Sequence, residues 1–255
     1  MSWEPVWPWL LGQEHETLRI AGVPTLLWEH LLYVVGPVLA AVAVALPIGL
    51  WVGHVNRGGT FAINVSNAGR AIPSLGVILI AYLVFGLSSI PVFITLIAMA
   101  IPPILTNTYV GVREVDPEVR DAAAGMGLSG WQILRQVEIP MAMPVIMAGI
   151  RTSAVQVVAT ATLAAFVGLG GLGRPIFTGL ATSVQFNPDA RTVVVVAVIL
   201  VAIFAIVVEQ LLGVVERLVV PKGISRGQQE QDGAPPAAAA GRSARQIKEQ
   251  SAVTA

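Results

Sequence analysis

Leu31 to Val52, LLYVVGPVLAAVAVALPIGLWV, runs for 22 residues without one charged side chain. A helix that crosses a bilayer needs roughly 20 mostly apolar residues, rising about 1.5 Å each through a hydrocarbon core of about 30 Å. This stretch meets the requirement, and four further segments come after it. Residues 61–88 read as one span, with Asn64, Asn67 and Arg70 in its polar first half and a break or kink near Pro73 before the apolar run Ser74 to Leu87. Val92 to Val112 forms a third span, interrupted by Pro102-Pro103. Pro144 to Val167 is the fourth, with Arg151 and Gln156 in its first half. Thr192 to Val215 is the fifth, rich in β-branched residues but far too long for a strand, with Glu209 near its end.

Composition agrees with an all-α membrane protein of about five spanning helices. Of 255 residues 55% are hydrophobic and 12% charged, and the mean hydropathy is +0.75. Soluble domains carry about 25% charged residues. Fifteen basic residues balance fifteen acidic ones, and no basic patch of nucleic-acid size stands out, so nucleic acid is not an expected partner. The absence of cysteine removes disulfides, thiolate catalysis and Cys-ligated metals. His15, His30 and His54 form no ligand spacing, so no metal site is expected. The first 22 residues hold Trp3, Trp7, Trp9, Glu4, Glu14 and Glu16 with Arg19 as the single basic side chain, which is unlike a cleavable signal peptide.

Five spans put the termini on opposite sides, and Lys and Arg decide which is which. With the N-terminus outside, the inner side receives Arg57, Arg113, Arg120, Arg135, Arg217, Lys222 and Arg226, and the outer side only Arg19, Arg174 and Arg191. The expected organisation is therefore an outer segment 1–28, a membrane domain 29–221 with a cytoplasmic loop 113–143, and a disordered cytoplasmic tail 222–255. The tail is rich in Gln, Ala, Gly and Pro and cannot bury enough apolar surface to offset its ordering entropy.

The inner loop is unusually long and reads as two short helices. Asp116 is a good N-cap, Pro117 suits the first helical position, and Glu118 sets negative charge at the positive end of the helix dipole. Val119, Ala122, Ala123 and Met126 fall at i, i+3, i+4 and i+7, one small apolar stripe, and Gly127 ends the helix. Ser129 and Gln132 form a capping-box pair that opens a second helix, which Pro140 closes. Such a stripe must be buried by something: a docked protein, or the chain's own membrane bundle.

The loop carries a recognisable pattern. Asp121-Ala122-Ala123, three residues, Gly127, nine residues and Val137-Glu138-Ile139-Pro140 resemble the EAA signature of ABC importer permeases, with Asp121, Val137 and Ile139 replacing the usual Glu, Ile and Leu. Asn67 to Leu75, Asn107-Thr108-Tyr109, Gly149-Ile150-Arg151-Thr152 and Gly168 to Gly173 are similar to the permeases for osmoprotectants such as glycine betaine, carnitine, choline and proline betaine, and less so to methionine permeases. The resemblance covers roughly residues 25 to 220. It implies the type I (MetI-like) ABC importer fold in a bacterial cytoplasmic membrane. It also implies a second permease, a copy or a paralogue, a separate ATP-binding subunit and an extracytoplasmic substrate-binding protein. Asp121, Ala122, Ala123, Gly127, Val137, Ile139 and Pro140 would form the ATPase-docking loop. The chain would hold no cofactor, ATP being bound by the partner, and a permease for methionine or another small amino acid is the alternative within the family.

Other signals are weaker. Gly168 to Gly173 spells G-x-G-x-x-G, but it follows a membrane span and runs into Pro175 instead of opening a βαβ helix. Gly168, Gly170, Gly171 and Gly173 are read as an outer hinge. Arg70 and Arg151, with Pro73, are candidates for the translocation path, because a charge at mid-membrane costs about 2.5 to 3.5 kcal/mol and usually faces a cavity or partner. Near the inner boundary the same side chains, and Glu209, can instead snorkel to water as anchors. No G-x-x-x-x-G-K-[ST] phosphate loop is present and no catalytic constellation is visible, so no enzyme activity is expected. An ion-coupled secondary transporter would favour buried carboxylates near the midplane, and the spans place none there. The topology is directly testable in this cysteine-free chain: Met126→Cys should react with a membrane-impermeant maleimide in inverted vesicles and not in intact cells, and labelling from outside would reverse the orientation.

Overall fold

In lipid the backbone must satisfy its own hydrogen bonds, so the apolar segments fold as helices. The computed structural model describes residues 6–14, 20–56, 59, 64, 73–86, 88–182 and 188–220. Helix α1 covers Val6–Leu10, α2 Val23–Val55, α3 Ser74–Phe85, α4 Ser89–Arg113 and α5 Pro117–Gly125. Helix α6 runs from Gly130 to Val167, α7 covers Gly173–Ala181 and α8 Pro188–Val219. Among the described residues α2, α4, α6 and α8 are long and apolar enough to cross a membrane, and α3, with 12 residues, is a shorter apolar helix. The polar half of the expected second span, including Asn67 and Arg70, lies outside the described residues, as do Arg57, Arg19 and the tail from 221.

Two expected interruptions are absent. Pro102 and Pro103 lie inside α4, which continues to Arg113. Proline removes a donor and crowds the preceding turn, but in a bundle neighbouring groups can take up the freed polar atoms. The carbonyls so freed are those of Ala98 and Met99; beside them Ser153 Oγ of α6 donates to the Ala100 carbonyl at 3.0 Å and ties α4 to its neighbour, and Asn107 Nδ2 of α4 itself donates to the Pro103 carbonyl at 2.8 Å. Nor does Pro140 close the second loop helix. Gly130–Ile133 is α-helical, Leu134–Glu138 forms one π turn, and Ile139–Ala161 is α-helical again, all within one rod. The π turn bonds the Ile139 N–H back to the Leu134 carbonyl, which adds a residue to the turn just before Pro140 and relieves the clash a proline would cause. The helix then ends in the 3₁₀ turn Thr162–Val167.

Helix α4 is central, lying between α2 and α6, with α3 also against it, while α8 packs on α6 and α7. Without water between helices, association in a bilayer depends on close contact more than on hydrophobic burial, so small residues sit at the crossings. A Cβ on Gly49 of α2 would stand 2.7 Å from Thr108 Cβ and 3.1 Å from the Leu105 carbonyl oxygen. Gly53 meets Val112 in the same way, and Gly149 of α6 meets Asn107 and the Pro103 carbonyl. The core between these helices holds Val38, Ala41, Ala45, Leu96, Ile104, Ala154 and Val158.

A second core closes the far end. Trp9 of α1 is fully buried and its Nε1 donates to the Ala21 carbonyl at 2.8 Å. It joins Ile20, Val23, Leu26, Leu172, Ala190, Val193 and Ala197. Helix α1 is thus packed onto the bundle, and α2 starts at Val23, inside the expected segment 1–28. Most of the rest of α8 stays open, with Ile199, Ile203, Ile206 and Leu211 exposed. Such an apolar face belongs against lipid or a second subunit. Gly49→Val should lower stability by about 1 to 3 kcal/mol, as over-packing does, read as a drop in melting temperature of the detergent-solubilised protein, whereas Gly125→Ala, where no atom stands within 4 Å, should not.

Candidate functional site: the loop between α4 and α6

Each end of α5 is fastened by its own local chemistry. Asp116 Oδ1 accepts from the Glu118 N–H at 2.9 Å, and Pro117 occupies the first turn. At the other end Gly127 adopts φ +86°, a left-handed conformation that costs most residues energy. The Leu128 N–H then bonds to the Ala123 carbonyl at 3.2 Å and the Gly127 N–H to the Ala124 carbonyl at 2.9 Å. That is a Schellman cap. The Ser129 N–H and Oγ both donate to Gln132 Oε1, at 2.7 and 2.9 Å, and open α6.

The stripe on α5 is mostly uncovered. Ala123 is buried, but Asp121 and Ala122 are exposed, Val119 is 38% exposed and Met126 75%. Trp131, the first aromatic of α6, is 67% exposed. The bundle covers one alanine and leaves the rest of the face open. The second half of the signature points elsewhere: Val137, Ile139 and Pro140 are half-buried, and Ile139 lines an apolar groove of about 370 Å³ with Trp51, Trp131 and Leu134.

Glu138 lies between those residues and was not singled out from sequence. It is 1% exposed. Its Oε2 lies 2.7 Å from His54 Nδ1, at the end of α2, and its Oε1 lies 2.8 Å from Arg120 Nε on α5. Arg120 also donates from its terminal nitrogen to the Val112 carbonyl at the end of α4. A glutamate two residues before a proline at the start of an apolar span is the sequence signal that could have found it, since buried carboxylates are seldom left unpaired.

The other predicted residues are placed separately. Arg151 does not stand alone in the span: its guanidinium reaches Glu216 at 2.8 Å and Glu209 at 3.3 Å, both on α8. Arg151, Glu209, Ala148, Thr152 and Val155 line an open cavity of about 370 Å³. Pro73 caps α3 and is exposed. The four glycines lie at the opposite end of α6, away from the loop. Gly168 and Gly171 have φ of +82° and +77°. Glu29 Oε2 of α2 accepts the Gly171 N–H at 2.7 Å, and a Cβ on Gly170 would collide with that carboxylate. The turn is therefore pressed against α2 and mostly buried. Among the described residues no group of three or more His, Cys, Asp or Glu could hold a metal ion.

The profile of the family described as "Binding-protein-dependent transport system inner membrane component" matches residues 45–221. The carnitine transport permease protein OpuCB of Listeria monocytogenes is 40% identical over 197 residues, covering 77% of this chain and 88% of that protein. The glycine betaine/carnitine/choline permease OpuCB of Bacillus subtilis is 36% identical over 196 residues, covering 77% and 88%. The choline permease OpuBB of the same organism is 35% identical over 199 residues, covering 78% and 89%. A chain from the inward-facing MetNI methionine ABC transporter superimposes with a TM-score of 0.66 at 21% identity, covering 87% of this chain and all of that one. The fold is accordingly the type I importer fold. Gly170→Val should push the Glu29 carboxylate aside, break its bond to the Gly171 N–H and reduce transport severalfold in vesicle uptake; uptake at the wild-type rate would overturn this role for the turn.

Proposed function

The chain belongs to the family of inner-membrane components of binding-protein-dependent transport systems, and from that premise we propose that it carries quaternary-ammonium osmoprotectants of the glycine betaine, carnitine and choline type. The substrate class rests on the three relatives at 35 to 40% identity, each matched over most of its length. Their names describe permeases for carnitine, choline and glycine betaine.

In this reading the chain pairs with a second permease, a copy or a paralogue, and a separate ATP-binding subunit docks on the loop 113–143. One observation supports that dock above others: a capped, rigid α5 whose Val119, Ala122 and Met126 are left open by the rest of the chain. Alanines there allow close approach, and Asp121 beside them offers a carboxylate to a basic partner. The N-terminus lies outside, where a substrate-binding protein delivers cargo. ATP binding draws the two ATPase subunits together, the docked loops move with them, and the helices below switch the path from inward-open to outward-open. Hydrolysis resets the cycle. Asp121, Ala122, Ala123 and Gly127 meet the partner, and Val137, Ile139 and Pro140 hold the loop's base. Arg70 and Pro73 remain candidates for the path, whereas Arg151, paired with two glutamates of α8, acts as an anchor between helices.

Purification tests the class most cheaply: the chain should bring down an ATP-binding subunit, and Ala122→Trp on the open face should release it without lowering the amount of folded permease. Reconstituted vesicles should then take up labelled carnitine, betaine or choline in an ATP-dependent manner and exclude methionine; uptake driven by an ion gradient without ATP would refute the reading.

A further inference from the structure

Helix α5 has a thin hold on the rest of the chain. Ala123 is its one buried residue, and its flanks at Pro117, Glu118 and Asp121 are exposed. A lever attached so loosely would tilt without moving the helices beneath it. Yet one polar connection leads inward from its middle. Arg120 spreads its guanidinium between Glu138 Oε1 at 2.8 Å and the Val112 carbonyl. The same carboxylate holds His54 at 2.7 Å through its other oxygen.

Four helices therefore meet on one buried carboxylate and the arginine beside it: α5 through Arg120, α6 through Glu138, α2 through His54 and α4 through the Val112 carbonyl. The π turn contributes to this placement. An extra residue in a turn rotates the downstream side chains by about 100° around the axis, and of the five residues in the turn Leu134 and Glu138 are the buried pair. Arginine suits the task because its planar fork addresses two acceptors at once, which an ammonium cannot do with the same rigidity. The guanidinium also lies at the negative end of the α4 dipole. A well-packed apolar pair could stabilise such a junction as well as a buried ion pair does, so stability alone does not require these charges. The ion pair adds a charge attraction between α5 and α6 that an apolar contact does not supply, while the Val112 carbonyl accepts the guanidinium's hydrogen bond.

We propose that Arg120 and Glu138 form the link that transmits motion of α5 to the inner ends of α2, α4 and α6, acting as positioning residues that touch neither substrate nor nucleotide. This rests on the reading that an ATPase docks on α5. It adds which side chains convert docking into movement of the bundle. When the link is cut, α5 still presents its open face, since its caps at Asp116 and Gly127 are independent of Arg120. The ATPase then binds and turns over against a lever that slips.

The test uses the complete transporter in liposomes, with labelled carnitine uptake and phosphate release measured on the same vesicles. Arg120→Gln and Glu138→Gln should retain the ATP-binding subunit and its hydrolysis while carnitine moved per ATP falls roughly tenfold. Because both act on one link, the double variant should transport no worse per ATP than either single one. Arg120→Lys, which keeps the charge but not both bonds, should fall between wild type and Arg120→Gln; it also serves if the glutamine variants do not assemble. An unchanged ratio in assembled variants, or single losses that multiply in the double variant, overturns the link. A wild-type chain that retains no ATP-binding subunit instead overturns the docking reading on which the link rests.

Discussion

Close approach of three long helices is the constraint on which the rest of this protein depends. In a bilayer the lipid tails are as apolar as leucine, so helices gain little from burying apolar surface against each other and must gain from contact. Gly49 and Gly53 of α2 and Gly149 of α6 let both helices press on α4 at distances a methyl group would forbid. α4 is accordingly buried on two sides and continues as one helix through Pro102-Pro103. The loop that projects beyond this bundle is positioned by where the C-terminal ends of α2 and α4 and the start of α6 come together.

That arrangement divides the molecule's polar groups into two kinds. Glu138 and Arg120 lie beneath the loop, where the carboxylate is shielded from water and matched by partners on both oxygens. Arg151, Glu209 and Glu216 lie farther along, between α6 and α8, and are partly open to a cavity. In the first cluster only the carboxylate is fully shielded, Arg120 and His54 being partly exposed; the second can exchange partners with solvent, and pairs of that sort contribute little on their own. The opposite end has a similar economy. Glu29 holds the backbone of the glycine turn, while Trp9 of α1 seals α2, α7 and α8 from above. Helix α1, through Trp9, is thus part of the folded body.

Much of the fold was legible because membrane spans and helix ends are local. Hydropathy over twenty residues located α2, α4, α6 and α8, and the Asp116, Gly127 and Ser129 caps were read from side chains three or four positions from the groups they satisfy. The errors lay where a proline was read as a local event. Pro102, Pro103 and Pro140 would each end a helix in water. Here a π turn accommodates Pro140, and α4, packed between α2 and α6, runs straight through Pro102 and Pro103.

Sequence by itself determined that the chain spans a membrane, where α5 and α6 start, and that a capped helix with an apolar stripe stands between two spans. Those properties depend on composition and on neighbours within one or two turns. Only the tertiary structure decided that the stripe stays open, that Arg151 is paired and that Glu138 joins four helices. His54 and Glu138 are 84 residues apart, and Arg151 and Glu216 are 65 apart. No spacing rule connects positions so distant; they meet because glycine contacts draw the helices to one separation and one angle. The residue types supplied the chemistry, and packing supplied the choice of partner.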